Sequence, residues 1–160
     1  MQFTQSISYP GTVDEVVAMY LTPAYLERRF GQFVVDGSST VSVEGERVSF
    51  AGTVRPELIP AAAARFVKSD LRVSFTEEWA TNEAGATSRT SVTVDGAPVS
   101  VEATSTLSPS DAGSARKVSG NLSVRVPLLG GRIEKEAVAH LGRVVEREQA
   151  LAAQWLEEHR

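Results

Sequence analysis

Apolar and polar residues alternate through most of the first 126 positions and then, from Arg132 to His159, adopt a helical spacing. Residues 3 to 9 set Phe3, Ile7 and Tyr9 against Thr4, Ser6 and Ser8, the period of two expected of a strand with one wet face; Gln5 interrupts the apolar side. Pro10-Gly11 stops that strand. Thr12 followed by Glu15 is a capping-box pattern that opens a helix carrying Val13, Val16, Val17 and Tyr20. Thr22-Pro23 starts a second helix with Tyr25, Leu26 and Phe30 as its apolar side, and Gly31 ends it. From Gln32 to Arg55 the pattern returns to strands: Phe33 to Val35, then Val41 and Val43, a hairpin tip at Glu44-Gly45-Glu46, and Val48, Phe50 and Val54. Residues 56 to 69 break the alternation and read as a short helix or an ordered loop, with Pro56 and Pro60 bracketing Leu58 and Ile59.

Leu71, Val73, Phe75 and Trp79 face one way and Arg72, Ser74, Thr76 and Glu78 the other, the clearest strand in the chain. Three more alternating runs follow, Thr87 to Val94, Val99 to Leu107 and Arg116 to Val126, with Asp95-Gly96 as a strong hairpin signal. Pro127 and Gly130-Gly131 then turn the chain into its last segment. At ~100° per residue, Ile133, Ala137, Leu141, Val144, Leu151, Ala152 and Trp155 gather on one side of that segment, which holds no proline and only Gly142 inside it. The spacing predicts one unbroken rod whose oily flank lies on a sheet. A break near Gly142 would count against that arrangement. The whole reads as α+β: about seven antiparallel strands in hairpin order, two short helices, and a long C-terminal helix across the concave face of a curved sheet. Such a layout leaves a space between helix and sheet, which is where function is expected.

Composition narrows the chemistry. With 160 residues the chain has the length of one domain, 1 to 160, and can bury a sizeable core. It has no cysteine, which excludes disulfides, thiolate metal sites and cysteine nucleophiles. Its net charge is -4, and its 16 Lys and Arg are scattered without a basic run, so nucleic acid is not an expected partner. The first residues lack the marks of a signal peptide and no apolar stretch nears the ~20 residues of a membrane span, which predicts a soluble cytoplasmic protein. His140 and His159 are isolated, so no metal is expected, and no motif calls for a cofactor. No Gly-x-Ser-x-Gly elbow occurs. Gly130-Gly131 before a helix reads as a tight strand-to-helix turn ahead of an anion site.

The order of elements, together with Leu71 to Trp79 (LRVSFTEEW) and the junction Val126 to Lys135 (VPLLGGRIEK), resembles the helix-grip fold of the START-like, or SRPBCC, superfamily. The resemblance covers the whole chain, and its alanine- and valine-rich style is similar to an uncharacterised actinobacterial family within that superfamily. It implies a cavity for a hydrophobic small molecule such as a lipid or polyketide. It also leaves open a polyketide cyclase-like enzyme, or a co-chaperone-like domain that uses the outside of the sheet.

Two carboxylates stand out of pattern. Glu148 falls in the middle of the helix's apolar stripe, and Glu77 shares the Leu71, Phe75 and Trp79 side of its strand unless a bulge turns Glu78 inward instead. They are candidate proton-transfer groups or ligand anchors; the plainer reading makes them members of a structural network. Phe50, Phe66, Phe75, Trp79, Leu141, Val144, Glu148 and Trp155 are the candidate ligand-binding residues, although aromatics at these periods are first of all core. Pro56 to Lys68 and the Asp95-Gly96 turn are candidates for the mouth.

Overall fold

The computed structural model describes residues 1–65, 67 and 69–160. The chain forms β1 (Gln2–Tyr9), α1 (Val13–Tyr20), α2 (Pro23–Phe30), β2 (Thr40–Glu44), β3 (Arg47–Thr53), α3 (Ala61–Ala64), β4 (Arg72–Asn82), β5 (Gly85–Asp95), β6 (Val99–Ser110), β7 (Gly113–Val124), α4 (Gly130–Ala139) and α5 (Leu141–Glu158). The seven strands make one antiparallel sheet in the order β1-β7-β6-β5-β4-β3-β2. It is the helix-grip arrangement: a curved sheet whose concave side is covered by the helices. The pairing of β4 with β3 and β5 runs without a bulge through Glu77 and Glu78, so the period of two holds and Glu77 faces inward.

The capping box forms as the sequence requires. Thr12 Oγ1 accepts from Glu15 N–H at 3.2 Å, and Glu15 Oε1 accepts from Thr12 N–H at 2.9 Å. Pro23 occupies the first turn of α2, where its missing N–H costs nothing. After α2 the structure departs from the expected strand at Phe33 to Val35. Gly31 keeps helical dihedrals (φ -56°, ψ -29°), so the chain continues into a tighter helical turn, Gly31–Phe33, and only Val34 is left to bridge Val54. The irregular stretch contains a 3-10 turn, Pro56–Leu58, followed by the one-turn helix α3.

The final rod is also not continuous. It divides at His140, two residues before Gly142, into α4 and α5. His140 N–H reaches the Ala137 carbonyl at 3.1 Å and Arg143 N–H reaches that of His140 at 3.1 Å, three-residue spacings that tighten the backbone at the joint. Glycine is the residue least able to oppose such a lapse, since it gives up the most chain entropy in a helix and offers no side chain to pack. The clasp survives the break: α4 lies along β7, while α5 crosses β1 and meets α1 and α2. At the other end of α4, Gly130 permits the close turn from β7, because a β-carbon there would stand 2.1 Å from the Val124 carbonyl oxygen. Leu128, in the preceding turn, is fully exposed and holds φ at 69°.

The core divides in two. Ile7, Tyr9, Tyr20, Tyr25, Trp79, Leu107, Trp155 and Leu156 pack under α5, and a second cluster of Leu26, Val34, Val48, Phe50 and Phe75 lies toward the β2–β3 hairpin. Tyr20 stacks on Trp79 with ring centres 5.5 Å apart and planes at 19°, and Tyr25 meets Trp155 edge-on at 5.4 Å.

Candidate functional site

Between these clusters the concave face carries a buried polar network. Glu77 on β4 is the hub. Its Oε2 accepts from Arg116 Nη2 at 2.9 Å and from Thr90 Oγ1 at 2.7 Å, and its Oε1 accepts from Trp79 Nε1 at 3.0 Å. Arg116 starts three strands away on β7 and crosses the sheet to reach it. Ser105 and Ser88, small residues on the intervening strands, let the long side chain lie flat and accept from its Nε at 2.9 Å and its Nη2 at 3.1 Å. The guanidinium is covered by the rings of Trp79 and Tyr20, at 4.8 and 5.0 Å from their centres.

A second charge pair closes the network from the helix side. Arg29 of α2 brings Nε to 2.7 Å from Glu148 Oε1 on α5, and Nη1 to 4.0 Å from Glu77 Oε1. The closer contact is ionic without being a directed hydrogen bond, since Arg29 Nε and Nη1 have no hydrogen-bond partner among the described residues. Tyr20 donates to Glu148 at 3.0 Å; with its hydrogen so used, it accepts from Tyr9 across 2.7 Å. Two arginines therefore face two glutamates in a compact, largely dry cluster.

The electrostatics follow from burial set against these partners. Burial pushes the Glu77 carboxyl up, but Arg116 and Arg29, with hydrogen bonds from Thr90 and Arg116, outweigh it and hold the group below the ordinary glutamate value. Burial pulls both guanidiniums down, and the carboxylates, Glu148 for Arg29 and Glu77 for Arg116, more than reverse it. Burial is also the main reason the Tyr9, Tyr20 and Tyr25 hydroxyls are held above their usual range, with Glu148 adding to it.

Two clefts open on this face. One of about 170 Å³ lies over the network, lined by Arg29, Glu77, Thr90, Arg116 and Glu148 together with Phe3, Gln5, Ile7, Val101, Ala103, Val118, Leu141, Val144 and Val145. The other, about 260 Å³, is almost wholly apolar and lies under α4, between Leu58 to Ala63 and the β5–β6 hairpin, with Val99, Leu122, Val124, Ile133 and Ala137 in its walls. They are neighbours along the same strands. Val99 serves one cleft, and Val101 and Ala103, the next inward positions of β6, serve the other. Together they fall in the ~300–1,000 Å³ range of small-molecule sites.

The sequence-selected residues separate accordingly. Leu141, Val144, Glu148 and Glu77 line the charged cleft. Phe50 and Phe75 sit in the second core cluster, against Phe30, and line neither cleft. Trp79 and Trp155 are likewise core, and Phe66 lies outside the described residues. Of the expected mouth, Leu58 to Pro60, Ala63, Val67 and Gly96 border the apolar cleft. Arg29 and Arg116 were not anticipated. Arg116 carries the same signal as Glu77, a charge on the inward side of an alternating strand, and Arg29 stands one turn after Tyr25 on a buried face of α2. Among the described residues, no three His, Asp or Glu side chains gather where a metal ion could be held, and no helix is long and apolar enough to cross a membrane.

Known proteins resemble this chain in sequence or in fold. Uncharacterized protein Rv0481c of Mycobacterium tuberculosis is 28% identical over 96% of this chain and 95% of its own length. Three solved structures superpose at low identity: the di-domain aromatase/cyclase StfQ of the steffimycin biosynthetic pathway (TM-score 0.61, 11% identity, 99% of this chain and 51% of that one), protein CV1439 of Chromobacterium violaceum (0.57, 13%, 95% and 96%), and a START superfamily protein of Mycobacterium smegmatis (0.53, 11%, 93% and 97%). The fold is thus START-like. Residues 4–156 match the family described as Protein of unknown function (DUF2505), and the chain belongs to that family.

Proposed function

We propose that the protein binds a hydrophobic small molecule, such as a lipid or a polyketide, in the trough between the sheet and helices α4 and α5. The observation that carries this reading is the apolar cleft of about 260 Å³ under α4, whose walls of Val, Leu, Ile, Pro and Ala are filled by no side chain among the described residues. Interiors ordinarily pack to crystal-like density, so an apolar hollow of this size beside a fully packed aromatic core is a space kept open. The fold likeness to a START protein and to an aromatase/cyclase agrees with such a cargo.

A binding role fits the charged end better than proton transfer. Both Glu77 oxygens already accept hydrogen bonds, and the group is held ionised by two arginines, which suits a fixed counter-ion more than a base poised near neutrality.

Thermal unfolding of the full chain with a panel of fatty acids, fatty alcohols, sterols and aromatic polyketides tests the reading. A ligand at ~100 times its Kd adds about 2.7 kcal/mol, a rise of roughly 5 to 10 °C for a chain of this size. Ala137→Phe, which projects bulk into the cleft from an exposed helical position, should abolish the rise while leaving the unliganded midpoint within about 2 °C. No shift from any member of the panel, with no small molecule carried through purification by native mass spectrometry, would overturn it.

A further inference from the structure

Four buried side-chain polar atoms lack a hydrogen-bond partner among the described residues, and three of them, Arg29 Nε, Arg29 Nη1 and the Tyr25 hydroxyl, belong to one face of α2. Such groups are rare in native interiors, because each gives up hydration without a directed hydrogen bond to replace it; the ionic contacts of Arg29 with Glu148 and Glu77 offset only part of that loss. Arg29 borders the smaller cleft, whose lining it shares with Leu141, Val144 and Gln5. The site is built for an oxygen acceptor. The charge count decides which kind: Arg29 and Arg116 are already matched by Glu77 and Glu148. A carboxylate or phosphate would add a third negative charge among two, whereas a carbonyl or hydroxyl oxygen meets the unpaired N–H groups and leaves the balance intact.

Resting on the binding reading above, we propose that the cleft over Arg29 receives an uncharged oxygen, a ketone or hydroxyl borne on a ring of the hydrophobic ligand, and selects against acids of the same shape. The cleft's size suits one ring: about 170 Å³ here, against the ~150 Å³ of an engineered apolar cavity that takes up benzene. The remainder of the ligand extends along β6 toward the apolar cleft. Arg29 is then a specificity-determining residue, and Glu148, 2.7 Å from its Nε, positions it.

Four probes of one shape test this on the full chain by titration calorimetry at neutral pH: naphthalene, 2-naphthol, 2-acetonaphthone and 2-naphthoate. The ketone and the naphthol should bind on the order of 10- to 100-fold tighter than naphthalene, the range of one hydrogen bond to a charged donor, and the naphthoate no tighter than naphthalene. Arg29→Met should bring the ketone within about threefold of the hydrocarbon, about 0.7 kcal/mol, without weakening the hydrocarbon. Arg29→Lys keeps the counter-charge beside Glu148 and so the fold, and its different donor geometry should still cut the preference. Leu141→Trp, which fills the cleft, should abolish binding of all four. The inference fails if naphthoate binds best, if all four bind alike, or if the preference survives in both Arg29 variants; the binding reading survives each of those results. Binding by the lipid and polyketide panel with none by these four also overturns the inference alone, and silence from both sets overturns the two together.

Discussion

At the Tyr20 end of the trough, aromatic rings, two arginines and two glutamates interlock until Trp79, Tyr9 and Tyr20 are almost fully buried; at the Ile133 end the sheet presents half-buried Val99 and Leu122, and α4 half-buried Ile133, around open space. Both ends have one curved sheet and one helical cover. They differ in what completes them. The first is filled by its own side chains except at the Arg29 N–H groups, at the cost of burying four charges that must remain matched. The second has apolar walls and, among the described residues, no comparable plug, so it should tolerate change.

The contrast can be broken at its stiffest point. Arg116→Met leaves the Glu77 charge buried with its main partner gone, and should cost about 3–5 kcal/mol in urea unfolding. Leu122→Ala at the apolar end should cost only about 1–2 kcal/mol, below the usual price of a core truncation, because its surroundings are already half open. Equal losses would show that the two ends are built alike.

Acid should find the same asymmetry. Because Glu77 titrates below the ordinary value when folded, its contribution is fully present above the unfolded value near 4.3 and is lost as pH falls from there through the folded value. The Glu77→Gln chain, less stable at pH 7, should therefore show a flatter decline than the parent as pH falls below about 4.3, followed by equilibrium denaturation. A parallel decline in both chains would mean that the network does not hold the carboxylate ionised.

The smallest effect belongs to the joint between the helices. Gly142 has nothing within 4 Å of where a β-carbon would stand and no left-handed φ, so Gly142→Ala should stabilise the chain by about 0.4–1 kcal/mol and raise its helical signal slightly. Loss of stability there would mean that the break is required by the packing of α4.

How much of this was legible follows from which interactions are local. The inward turn of Glu77 was readable because alternation persists from Leu71 to Trp79 and no bulge intervenes. Arg116 was readable by the same rule and was obscured by adjacent Lys117, which makes the stretch look like a wet charge pair. The Arg29–Glu148 contact was not readable, since it depends on where α2 settles against a helix more than a hundred residues later. The division at His140 escaped because the apolar stripe continues through it: periodicity records which side of a helix is oily and is silent on whether the hydrogen-bond ladder is intact. Phe50, Phe75, Trp79 and Trp155 stand out in the sequence by size, and size is what a core recruits first.

The pairing of β1 with β7 joins residues 2–9 to residues 114–121. β1 therefore waits for a strand more than a hundred residues later before its backbone groups are matched, and α5, which packs against it, follows later still. A sheet closed by so distant a pairing forms only once β7 is available and folds slowly, in the millisecond-to-second range of highly non-local topologies. A truncation that removes β7 would thus strand the N-terminal ribbon as an adhesive edge, exposing the nascent protein to self-association.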